Sequence, residues 1–157
     1  MLNLFVLDVL KTFQPEEKEE FRVFLKSHFF NKGANREPLI MLLDLLLEAQ
    51  SNGTIEELEK DTIFQLLFPK KVLVESKVDK LISELKRHAQ NFLTVRRYLS
   101  PKNDARRMLD FTSELRQKGL NNRYHQTLEK IKKESDVQTL ETIENYFFRH
   151  LVAMEEH

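Results

Sequence analysis

Prolines and glycines interrupt regular backbone, and this chain of 157 residues has seven of them: Pro15, Gly33, Pro38, Gly53, Pro69, Pro101 and Gly119. Each falls between apolar-periodic segments. A proline is tolerated at the first helical position, where its missing N–H would lack a partner, and a glycine readily takes the left-handed residue beyond a helix end. Breakers so placed leave long stretches whose apolar residues recur at helical spacing. The expected fold is all-α, a compact array of about eight antiparallel helices and helical hairpins. The expected organisation is a single helical domain over 1–157, with sub-layers 1–69 and 70–157 as a finer division.

Leu2, Phe5, Val6, Val9, Leu10 and Phe13 predict a first helix over 2–13. It has no basic leader region or small-residue cleavage site, and Asp8 interrupts it, so it does not read as a signal peptide. Pro15 opens a second helix, with Glu16, Glu17, Glu19 and Glu20 near its positive end and Phe21, Phe24, Leu25 and His28 on its inner face. A third spans Pro38 to Gln50. Thr54 and Glu57 predict a capping box for a fourth, ending near Phe68 and breakable near Lys60 and Asp61. Lys70 to Ser76 is a connector whose Val72, Leu73 and Val74 have no partner strand.

The fifth helix, Lys77 to Leu99, carries the best-defined stripe: Val78, Leu81, Ile82, Leu85, Ala89, Phe92 and Leu93. Ser100 and Pro101 predict the start of a sixth, with Ala105, Met108, Leu109, Thr112 and Leu115 inward and Gly119 at its end. A seventh buries Tyr124, Leu128 and Ile131. An eighth, capped by Ser135 and Gln138, buries Leu140, Ile143, Phe147, Leu151 and Met154. Pro101 to Glu134 has the length of a tetratricopeptide unit, about 34 residues. It lacks that unit's small and aromatic positions and has no second copy, so it reads as a helical hairpin.

With 41% apolar residues the chain can build a core, although 32% of its residues are charged. The absence of cysteine excludes a disulfide framework, a thiolate zinc site and a cysteine nucleophile, and it suits a reducing cytoplasm. The most apolar run, Pro38 to Leu47, is too short to cross a bilayer and contains Asp44, so no membrane partner is expected. None of His28, His88, His125, His150 and His157 has a carboxylate three residues before it, the spacing that carboxylate-bridged metal bundles use. Glu84 and His88 lie one helical turn apart, which could orient an imidazole for base catalysis; a solvated helix pair explains the spacing equally. There is no glycine-rich phosphate loop and no G-x-S-x-G elbow. Catalytic residues, cofactors and metals are therefore not expected, nor is an enzyme.

Net charge is zero, but residues 1–76 hold 9 basic and 13 acidic side chains, and the remainder holds 16 and 12. Arg96, Arg97, Arg106 and Arg107 flank the Ser100–Pro101 turn with Tyr98 among them, a corner suited to phosphates or an acidic partner. Ordinary helix chemistry is the competing explanation, since basic residues favour a helix C-terminus. Phe29 and Phe30 are adjacent and cannot share one face. One is expected to plug the core, and the other to seal the loop or anchor a partner. Helices four and five also admit a DNA-reading arrangement with Lys77, Lys80, Ser83, Arg87 and Gln90 outward, although their connector exceeds the usual three or four residues. The expected function is a non-enzymatic helical protein-interaction module whose partner is another protein. The alternative is nucleic-acid binding through helix 77–99 and the arginines at 96–107.

Glu19-Glu20-Phe21, Phe24-Leu25-Lys26-Ser27 and Phe29-Phe30-Asn31 form an F-x-x-F-L-x-S-x-F-F-N stretch. Leu67-Phe68-Pro69 and a long amphipathic helix with Leu81, Ser83, Leu85, Phe92 and Leu93 follow it. This pattern, over roughly residues 11–99, resembles the N-terminal region of a bacterial family of uncharacterised all-helical proteins. His28 stands where that motif usually has proline. The resemblance implies an all-helical fold, a bacterial cytoplasmic setting and no particular activity. Family members are often longer, which implies a short member or an N-terminal piece.

Overall fold

A computed structural model describes residues 4–137 and 143–155. The fold is all-α: eight α-helices, two short 3-10 turns and no strand among the described residues. None of these helices is long and apolar enough to cross a membrane. The chain divides into two compact units, 1–94 and 95–157, with the division near the end of the fifth helix.

In the first unit, α1 (Leu4–Thr12) and α2 (Pro15–Lys26) meet at Gln14, whose backbone N–H donates to Glu17 Oε2 at 2.7 Å. That bond satisfies one of the orphan donors a helix start leaves open. Pro15 takes the first helical position, as expected. Phe21, Phe24 and Leu25 of α2 are buried, but His28 is exposed because it lies beyond the helix end. Asn31 closes α2. Its side-chain N–H donates to the Leu25 carbonyl at 3.0 Å, its side-chain oxygen accepts from the Gly33 N–H at 3.3 Å, and the residue is 1% exposed.

Helix α3 (Arg36–Ser51) begins two residues before Pro38, so the proline is its third residue rather than its first. The missing N–H is still one of the four without an intrahelical partner, so the shift costs nothing. Leu39, Ile40, Leu42, Leu43, Leu46 and Ala49 are buried, while Asp44 forms an outward ion pair with Arg22 of α2. The end of α3 corrects the capping box expected at Thr54. Gly53 is left-handed at φ +72°, its N–H donates to Gln50 O at 3.3 Å, and the Thr54 N–H donates to Ala49 O at 2.9 Å. This paired closure ends α3; the Thr54 carbonyl accepts from the Glu57 N–H at 3.1 Å, but the Thr54 side chain makes no cap hydrogen bond, so the expected capping box does not form. A 3-10 turn follows at Ile55–Glu57, and α4 (Lys60–Leu67) starts after an extended Leu58 and Glu59.

Helix α5 (Glu75–Tyr98) buries the expected stripe, with two changes: His88 joins it and Leu93 is exposed. Its Phe92 ring lies 5.6, 5.2 and 5.6 Å from the rings of Phe13, Phe21 and Phe24. Through these rings, α5 as far as Thr94 belongs with the helices that precede it. Val72, Leu73 and Val74 are exposed and non-helical.

In the second unit, a 3-10 turn at Pro101–Asn103 leads into α6 (Asp104–Gln117), followed by α7 (Asn121–Val137) and α8 (Ile143–Glu155). Ser100 does not cap α6; its hydroxyl donates backwards to Arg97 O at 2.7 Å. Gly119, at φ +72°, ends α6 with the same paired closure as Gly53, the Leu120 N–H reaching Leu115 O at 2.9 Å. Leu109, Leu115, Tyr124, Leu128, Ile131 and Val152 form this unit's core, with Leu151 packed on it. Ala105, Met108 and Met154, expected inward, are exposed. Leu2, Gln138, Leu140 and His157 lie outside the described residues, as do the side chains of Ser135, Ile143 and Phe147.

Replacing Phe21, fully buried among rings, should separate sharply from replacing the exposed Phe29. Phe21→Ala is expected to cost about 3–5 kcal/mol and Phe29→Ala less than about 0.5 kcal/mol in urea unfolding followed by circular dichroism. A comparable loss at both positions would contradict this core.

Candidate functional site

The loop after α2 folds back against α5, and Gly33 permits the approach. A Cβ there would sit 3.1 Å from Glu84 Oε1, tighter than nine in ten real contacts, so the carboxylate would have to shift by a few tenths of an ångström. Glu84 is held in turn by Asn35, whose side-chain N–H donates to Oε2 at 3.1 Å. Between loop and helix opens a cleft of about 550 Å³ lined by Phe29, Phe30, Asn31, Lys32, Gly33, Arg87, His88 and Asn91.

Neither Phe29 nor Phe30 plugs the core. Phe29 is 77% exposed and Phe30 39% exposed. Phe30 stacks on buried Phe24 with ring centroids 4.5 Å apart, and Phe29 meets Phe30 edge-on at 5.1 Å. The side chain under the loop is Asn31, since α2 ends before the phenylalanines and only a polar group can satisfy its last carbonyls. Phe29 and Phe30 thus form a ledge continuous with the core.

His88 forms the floor. It is 3% exposed, and neither ring nitrogen has a hydrogen-bond partner. Glu84 Oε1 is 3.9 Å from Nε2, too far for a hydrogen bond. The Glu84–His88 spacing is therefore not a solvated surface pair. Burial lowers the His88 pKa from its ordinary 6.5, Arg87 lowers it further, and Glu84 opposes both. An unpartnered buried polar group costs about 1–3 kcal/mol. The sequence signal for this position was its register: His88 is seven residues from Leu81, three from Leu85 and four from Phe92, on the buried stripe.

The arginine corner in the second unit is largely engaged. Tyr98 donates its hydroxyl to Asp110 Oδ2 at 2.8 Å, which holds the phenol above its ordinary pKa of 10. Arg106 Nε donates to the other oxygen of Asp110 at 3.4 Å, and Arg107 pairs with Asp104 and donates to Leu99 O. Arg96 and Arg97 are exposed on the last turn of α5. Asp110 is the residue that the sequence reading of this corner leaves out; it lies three residues past Arg107 and one turn from Arg106. On the outer side of α5, Lys80, Ser83, Arg87 and Gln90 are exposed, whereas Lys77 is half-buried with Nζ 4.4 Å from the Phe68 ring centroid.

Among the described residues no group of three or more histidines or carboxylates is placed to hold a metal ion. No family model, curated protein or solved structure matches the chain.

The His88 environment predicts a pH dependence. The imidazole is harder to protonate folded than unfolded, so the unfolded chain takes up the extra proton first. The stability this represents is complete above about pH 6.5 and is lost as pH falls from there to the lower folded pKa, by at most about 1.4 kcal/mol per pH unit. The unfolding free energy of the native chain should therefore fall more steeply than that of His88→Gln across this window. Parallel profiles would show that His88 titrates freely.

Proposed function

We propose that this chain is a non-enzymatic helical protein-interaction module, with the Phe29–Phe30 ledge and its cleft as the contact surface. The observation that carries this reading is the pair of adjacent exposed rings above a buried imidazole with no partner. Aromatic side chains held firmly at a surface supply much of the energy of protein contacts, because they bury large area at small entropic cost. Stacking on Phe24 provides that firmness. The absence of cysteine supports a reducing cytoplasmic setting, as does the resemblance of residues 11–99 to the bacterial helical family.

Nucleic-acid binding is the second reading, favoured by the exposed Lys80, Ser83, Arg87 and Gln90 on one side of α5. The engagement of Arg106 and Arg107 by Asp110 and Asp104 weakens it, because those bonds must be exchanged for phosphate contacts.

Affinity capture from the native cell with the native chain and a Phe29→Ala, Phe30→Ala double variant tests the first reading. A protein retained by the native chain and lost from the folded variant is the expected result; identical captured sets would overturn it. Salt titration against duplex DNA tests the second reading. True phosphate contacts give log K falling with log salt at about −0.9 per contact, and no binding at low salt rejects it.

A further inference from the structure

We propose that the cleft between the Phe29–Gly33 loop and α5 takes a short peptide segment of a partner protein in which a carboxylate adjoins an aromatic side chain. The inference rests on the interaction-module reading and specifies what that surface recognises. Its first support is charge. The charged side chains lining the cleft are Lys32 and Arg87, and no lining residue is acidic. Glu84 does not line the cleft; it is bonded to Asn35 and lies 3.8 Å from Arg87 Nη2, too far for a hydrogen bond.

Arg87 supplies the second support. Its side chain is 65% exposed, so its donors are open to a ligand. A carboxylate can accept from two of them together, with the exposed Lys32 lining the same cleft. Shape supplies the third. The ledge of Phe29 on Phe30 offers a ring face and a ring edge, the surfaces a third aromatic ring packs against. A volume of about 550 Å³ is that of a typical ligand pocket, enough for two side chains of an extended segment. Asn91, exposed on the rim, carries both a donor and an acceptor for the segment's backbone. A carboxylate on Arg87 and a ring on the ledge must be close together in the ligand, which neighbouring residues of one peptide provide.

The test uses fluorescein-labelled hexapeptides with a glutamate–phenylalanine or phenylalanine–glutamate centre flanked by glycine and serine. Their binding to the full chain is read by fluorescence anisotropy. Saturable binding is expected, weakened about tenfold or more when glutamine replaces the glutamate or alanine the phenylalanine. Arg87→Gln and Lys32→Gln change exposed residues, and each should weaken the glutamate peptide while leaving the circular-dichroism spectrum and melt unchanged. Equal affinity for the glutamate and glutamine peptides, or undiminished binding by folded Arg87→Gln, would overturn the proposal. Binding of a phosphoserine counterpart with none of the glutamate peptide would overturn it as well, assigning the cleft to phosphate. Capture that depends on Phe29 and Phe30 while neither peptide binds rejects the peptide assignment and leaves the module reading standing. Peptide binding with capture indifferent to the two rings does the reverse.

Discussion

The first unit is organised around one ring. Phe92 of α5 touches Phe13, Phe21 and Phe24, so a single side chain ties the α1–α2 corner and the length of α2 to the longest helix. Aromatic pairs at these separations contribute about 0.5–1.5 kcal/mol each beyond the area they bury. Their geometry has a consequence one turn earlier on the same helix. With Leu85 and Phe92 both buried, the residue between them on that stripe must enter the same interior, and that residue is His88. Aromatic packing therefore drags a polar ring into a place that offers it no hydrogen bond. The Phe24 ring stands 6.5 Å from the imidazole, edge to face, and supplies contact without an acceptor.

The architecture was legible in the sequence because it depends on local rules. Pro15 and Gly119 do what their chemistry dictates, and the α5 stripe reads from Val78 to Phe92. The two capping errors share one physical origin. Thr54 and Ser100 each sit between two helices and can serve either one; both turn back to close the helix before them. A glycine at φ +72° decides the first case by aligning Thr54's N–H with Ala49 O. In the second, Ser100 and Asn103 converge on the Arg97 carbonyl, so the end of α5 is satisfied before α6 begins. No propensity or capping pattern ranks these competing bonds, because the choice depends on the path of the whole turn.

The site was less legible than the fold. Phe29 and Phe30 stood out as an adjacent pair, yet their exposure follows from where α2 stops and from Asn31 taking the place beneath the loop. Gly33 looked like a helix terminator and is instead a point of close approach, set by Glu84 far along the chain. That contact joins residues distant in sequence, so no local pattern contains it. His88 could have been assigned from its register alone, but a histidine on an apolar stripe reads equally as a surface residue until its neighbours are fixed.

The two cationic features differ in what binding would require of them. At the turn between α5 and α6, Tyr98, Arg106 and Arg107 have acceptors already, supplied by Asp110, Asp104 and the Leu99 carbonyl. An incoming anion there displaces existing bonds, and the net gain is the small difference between similar interactions in water. In the cleft the balance runs the other way. His88 is buried beneath it, and the exposed cations Lys32 and Arg87 are what a ligand meets. Glu84 lies 3.8 Å from Arg87, beyond hydrogen-bond distance, so a ligand carboxylate on the guanidinium does not have to displace a hydrogen bond to it. Density of basic residues picks out the first feature in the sequence; donors left open by the fold select the second in the structure, and they are the better guide to where free energy remains for a partner.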